Sequence, residues 1–163
     1  VNKAQRAEIQ KVQAILVAHR GRVGYRQLRP MTTRNVSTVT GLMRKLGQGF
    51  DMDCSESGVL ICHVAGVKSP TGSWAYGNTE TYLQHLTNHY FDARDALPGA
   101  FAVLNSDRPL TEQHLVQCHE ADHAHGDPII FTHGTAADPR FMKLSWIQAG
   151  FSGRTTWLSV KRL

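Results

Sequence analysis

The sequence predicts an α+β fold, with helices in the first part of the chain and an antiparallel sheet in the second. Three observations carry this. The chain opens on an amphipathic helical pattern. A run that is apolar nearly all round, Val59-Leu60-Ile61-Cys62-His63-Val64-Ala65, follows a helix-start signal at Asp53-Cys54-Ser55-Glu56. Beyond Pro98-Gly99 the texture changes to short apolar runs bounded by turn residues. A helix without a polar face belongs at the centre of the fold, so the sheet is expected to pack against it.

In chain order, Lys3 to about Arg20 forms the first helix, with Ala4, Ala7, Ile9, Val12, Ile15 and Leu16 on its buried face and Gly21 and Gly24 ending it. Arg29 to Thr40 is polar and opened by Pro30, a loop. A short helical turn is expected over Gly41–Gly47. The central helix closes at Gly66, and Pro70, Gly72 and Gly77 mark the next loop. Asn78 caps a further helix reaching to about Tyr90. Strands are expected at Phe101–Leu104, Gln113–Cys118, Ile129–His133, Phe141–Leu144 and Thr156–Val160.

The length of 163 residues and the 41% hydrophobic content suit a single domain over residues 1–163 with a real core. No apolar run is long enough to cross a bilayer, and the start lacks a secretion-signal pattern. Three cysteines, Cys54, Cys62 and Cys118, cannot all pair within the chain, which argues against a disulfide framework. Charge is segregated: in residues 1–50 ten Lys/Arg face one acid, Glu8, while the remainder is net acidic. Such a basic third suits a polyanionic partner. Nucleic acid is one candidate and an anionic cell wall another, and no zinc-finger, RNA-binding or nucleotide-binding loop motif breaks the tie.

Cys54 is the most informative residue. At the first turn of a buried helix, unpaired N–H groups and the helix dipole favour thiolate, the attacking form of cysteine. A nucleophilic cysteine needs a base. Strand alternation puts His114, Val116 and Cys118 on one face and Leu115, Gln117 and His119 on the other, and His133 ends the neighbouring strand. A Cys–His pair with a second polar group orienting the imidazole is the arrangement to look for.

The string Phe50-Asp51-Met52-Asp53-Cys54-Ser55-Glu56-Ser57 and the helix after it resemble the Asp-Cys-Ser segment of NlpC-type cell-wall cysteine peptidases, which have a papain-like fold. The order of landmarks is similar to the peptidase domain of actinobacteriophage endolysins of the mycobacteriophage lysin A type. Those landmarks are Gly24-Tyr25-Arg26-Gln27-Leu28-Arg29-Pro30-Met31, Asp53-Cys54-Ser55, Tyr76-Gly77-Asn78-Thr79-Glu80-Thr81, Pro98-Gly99, His114-Leu115-Val116 and Phe131-Thr132-His133-Gly134. The ordered set covers about residues 9–145.

The resemblance implies Cys54 as nucleophile, His114 as base and His133 as the group that orients it. It places Asp53 and Ser55 beside the nucleophile, Tyr25 at the oxyanion region, and Trp74 and Tyr76 along the substrate groove. Two departures stand out: Arg29-Pro30 replaces the glycines that usually follow the tyrosine, and Glu56 stands where many relatives have glycine. The Glu56 side chain would narrow the groove or point to solvent.

The activity implied is hydrolysis of the peptide part of peptidoglycan by acyl transfer, without metal or cofactor. The enzyme would be made in a phage host's cytoplasm and released to the wall at lysis, with no membrane insertion and with a wall-binding domain elsewhere as an option. An amidase cutting between the muramic lactyl group and L-Ala, or a non-catalytic wall-binding module, are the alternatives. The rival ligand-rich stretch, Cys118-His119 with His123 and His125, lacks a paired zinc motif. His85 and His89 form an i, i+4 pair of a kind more often packing than ligation. His63 and Cys62 read as core, and Trp146 and Trp157 as core or hairpin packing.

Overall fold

The computed structural model describes residues 1–86, 92–134 and 137–159. It is an α+β protein built around a five-stranded antiparallel sheet.

Helix α1 (Lys3–Ala18) opens on a reciprocal cap: the Gln5 amide donates to Asn2 Oδ1 at 2.8 Å, and the Asn2 amide donates to Gln5 Oε1 at 3.0 Å. It buries Ile9, Val12, Gln13 and Leu16. A 3₁₀ turn at Arg20–Arg22 leads into β1 (Val23–Tyr25). This strand pairs in parallel with β2 (Phe50–Met52), Tyr25 opposite Met52. Neither strand was expected, because three residues are too few to show a period. Between them the expected helical turn is a full helix, α2 (Val39–Gln48), capped by Thr38 and burying Leu42 and Leu46 one turn apart.

Helix α3 (Cys54–Val64) is buried continuously from Cys54 to Cys62, as its apolar sequence predicts. Gly58 allows its close approach to the neighbouring elements. A Cβ there would lie 2.4 Å from the Tyr82 hydroxyl and 2.8 Å from the Phe101 ring, both fully buried. Helix α4 (Thr79–His85) carries Tyr82 and starts on the Asn78 cap. Its expected extension to Tyr90, and His89 of the proposed pair, lie outside the described residues.

The sheet runs β6-β5-β4-β3-β7, formed by β3 (Phe101–Leu104), β4 (His114–Glu120), β5 (Ile129–Gly134), β6 (Ala137–Lys143) and β7 (Thr156–Leu158). All five expected strands exist, β3 with the expected ends and the other four with shifted ones. Leu144 opens a short helix, α5 (Leu144–Gln148), rather than closing β6. Trp146 on that helix is 71% exposed, against the expectation of core or hairpin packing, whereas Trp157 is buried. The expected last residue of β7, Val160, lies outside the described residues.

Two apolar cores flank the sheet. One lies under α1, α2 and α3 and includes Cys54, Phe101, Val103, Leu115, Phe131 and Leu158. The other collects Ala102, Leu104, Val116, Cys118, Ile130 and Trp157, with Leu144 of α5. The alternation read along β4 therefore holds, and it assigns faces: Leu115 looks toward α3, and His114, Val116 and Cys118 look the other way. No helix among the described residues is long and apolar enough to cross a membrane.

Candidate active site

Cys54 is the first residue of α3 and only 7% exposed. Asp53 caps the helix, its Oδ1 accepting from the Glu56 amide at 2.7 Å. The other carboxylate oxygen accepts from Arg29 Nη2 at 2.8 Å, and Arg29 also donates to the carbonyl of Gly77. Arg29 thus ties the loop after β1, the nucleophile helix and the start of α4 together. In the sequence Arg29-Pro30 reads as the opening of a loop and as a departure from the family pattern, with no partner for the guanidinium. The single clue available was that Asp53, as a cap, leaves one oxygen to satisfy.

Glu56 neither narrows a groove nor meets solvent. It is fully buried, and Oε1 accepts from the Thr33 amide at 2.9 Å and from the hydroxyls of Thr32 (3.0 Å) and Thr33 (2.9 Å). Its other oxygen, Oε2, has no hydrogen-bond partner among the described residues. Burial raises the Glu56 pKa against these hydrogen bonds. The side chain buckles the 31–33 segment onto the first turn of α3.

The β1–β2 pairing brings Tyr25 alongside Met52 and so to Cys54. The tyrosine hydroxyl hydrogen-bonds the thiol, and burial together with Cys54 pushes its pKa up. For the thiol itself burial is the largest influence and raises the pKa; the Leu115 N–H, Tyr25 and Ser55 pull it down, and Asp53 adds to the rise. Burial of the sulfur thus works against the thiolate that a helix N-terminus favours. Ser55 is also buried, its carbonyl accepting from Tyr82 Oη at 2.7 Å.

The two histidines divide. His133 is buried, its Nε2 placed 3.0 Å from both the Gly24 and Met52 carbonyls, so this nitrogen carries the proton and donates. Its ring meets Tyr25 edge-on with centroids 5.1 Å apart. By alternation from Phe131 it shares the face of Cys54. His114 is on the opposite face, with Nε2 2.8 Å from Thr132 Oγ1 and its ring stacked on Phe151. Burial first, then His133, push its pKa down to about 4. Thr132 is thus the group that meets the His114 Nε2, and His133 braces β1, β2 and Tyr25.

Cys54 nonetheless meets the backbone beside His114. The backbone N–H bonded to the sulfur belongs to Leu115, the residue after His114. Tyr25 also lines a pocket of about 490 Å³ together with His114, Thr132 and Gly134. The tyrosine stands between the buried thiol and that pocket.

The groove residues fall elsewhere. Trp74 stacks on His63 at 3.9 Å, on the side of α3 turned about 180° from Cys54. It does not line the pocket, and His63 is half-buried against it rather than sealed in the core. Tyr76 is 56% exposed. The rival ligand stretch is dispersed: Cys118 is sealed in the second core, while His119 bonds Gln13 Oε1 at 2.7 Å and stacks on Phe141 on the opposite face. Among the described residues no group of three or more His, Cys, Asp or Glu is placed to hold a metal ion.

Comparison of the chain with protein-family models, curated proteins and solved structures gives no match in any of the three.

Proposed function

We propose that the protein is a papain-like cysteine peptidase of the NlpC type, acting on the peptide part of bacterial peptidoglycan as a phage endolysin does. The observation that carries the reading is the setting of Cys54: a thiol heading a buried, Asp53-capped helix, with Tyr25 on one side and the Leu115 N–H on the other. The wall as partner is supported by the basic first fifty residues.

In this reading the resting site is closed. The thiol pKa is raised and that of His114 lowered, so the proton stays on sulfur and an ion pair is disfavoured at neutral pH. Substrate displaces Tyr25 from the sulfur. With Tyr25 displaced, the sulfur opens toward the pocket that Tyr25 and His114 both line, and across it His114, held by Thr132, takes the thiol proton as Cys54 attacks the peptide carbonyl and returns it to the leaving amine. Water, deprotonated by the same imidazole, then releases the acyl group. Backbone N–H groups at the start of α3 face the developing oxyanion. A second reading makes His133 the base, favoured by its position on the face of Cys54.

Mass spectrometry of fragments released from purified diaminopimelate-type peptidoglycan tests the proposal. Release should be lost in Cys54→Ala and in His114→Ala, and should survive a chelator. Loss in His133→Ala with activity kept in His114→Ala selects the second base. A cut at the lactyl–L-Ala bond makes the enzyme an amidase. Unchanged release by Cys54→Ala, or wall binding without release, refutes the peptidase.

A further inference from the structure

The pocket beside Tyr25 lies on the sheet face opposite α3, and its far end takes no part in the chemistry of the thiol. Its floor crosses three strands: Arg140 on β6 stands directly opposite Thr132 on β5, and Thr132 bonds His114 on β4. Glu112, in the 3₁₀ turn Leu110–Glu112 just ahead of β4, lines the other side. Exposed Trp146 and the Phe151 ring form an aromatic wall.

Arg140 and Glu112 carry the charges among the pocket's lining residues, and neither takes part in an ion pair among the described residues. One positive and one negative side chain at opposite margins do not suit a polyanion. Arg140 stands level with Thr132 and Val116 while Glu112 precedes Val116 by four residues, so the two backbones are roughly 15 Å apart, two strand spacings across the sheet and about four residues along it. The Arg140 and Glu112 side chains, both lining the pocket, narrow this toward the length of about three residues of extended chain. Between them lie hydrogen-bonding groups of Thr132 and His114, and the aromatic wall offers contact to side chains of either hand.

From this arrangement we infer that the pocket is a binding site for a short zwitterionic peptide of about three residues, its carboxylate held by Arg140 and its ammonium by Glu112, against Trp146. The choice of a peptide rests on the peptidase reading; the requirement for two opposite charges rests on the pocket alone.

The test uses the full chain as Cys54→Ala, labelled with ¹⁵N, and follows the indole N–H of Trp146 while trialanine is added. The same titration is run with N-acetyl-trialanine and with trialanine amide. Free trialanine should shift the indole resonance saturably. Loss of one charge-assisted contact should weaken binding about tenfold for each blocked form. In Arg140→Gln the free and amidated peptides should bind alike, and in Glu112→Gln the free and acetylated ones. No saturable shift with trialanine, or equal affinity for the three forms, overturns the inference. Because turnover is not measured, loss of Cys54-dependent wall hydrolysis in the fragment assay leaves this result standing, and the reverse holds too.

Discussion

Replacing Arg29 by Gln removes the cation that holds Asp53, and the cost can be worked from the contacts. The Asp53 side chain is 6% exposed and that of Arg29 20% exposed, with 2.8 Å between Nη2 and Oδ2. Removing one partner of a fully buried pair costs about 3–5 kcal/mol, because the remaining charge is left without compensation. The partial exposure of Arg29 reduces this, and Asp53 keeps its bond from the Glu56 amide, so about 2–3 kcal/mol is expected. The Gly77 carbonyl loses its donor as well. For a chain of this length each kcal/mol moves the melting temperature by about 2–4 °C, giving a fall of roughly 4–12 °C. Calorimetry and urea unfolding of wild type, Arg29→Gln, Asp53→Asn and the double variant measure it. The double variant should be less destabilised than the two single changes added together, by about 1 kcal/mol or more. Additive changes, or a loss under about 0.5 kcal/mol in Arg29→Gln, would refute the clamp.

Gly58→Ala should cost about 2–3 kcal/mol in urea unfolding, since its Cβ meets the Tyr82 hydroxyl and the Phe101 ring; wild-type stability would contradict that packing. Alkylation of Cys54 by iodoacetamide should be slow at pH 7 and accelerate severalfold in Tyr25→Ala; equal rates would mean that Tyr25 does not cover the thiol. The folded His114 pKa is depressed to about 4 from 6.5, so its contribution to stability is complete above pH 6.5 and is lost as pH falls toward 4; His114→Gln should flatten that slope. The folded thiols of Cys62 and Cys118 are raised to about 12 from 9.0, so stability should decline as pH climbs from 9 toward 12, less steeply in Cys62→Ala. Sedimentation with purified walls should show weaker binding as salt rises, and equal binding at low and high salt would remove the electrostatic partner.

The short-range features of this protein were legible in the chain. The Asn78 cap, the Asp53 helix start, the apolar run of α3, the strand alternation that separates His114 from Leu115, and the burial of Trp157 all follow from chemistry within a few residues. Periodicity and capping act locally, so sequence alone determined the α+β order and put Cys54 at a helix start. Tertiary structure decided which face of the sheet α3 covers, and so put His133 on the side of Cys54 and His114 on the other. It also paired β1 with β2, which carries Tyr25 to the thiol across 29 positions of chain, and it turned Glu56 inward to Thr32 and Thr33. The same packing raised the Cys54 pKa, because desolvation depends on everything that surrounds the sulfur and not on the helix that bears it. Such contacts join segments far apart in the chain, and no local pattern records which of them will meet.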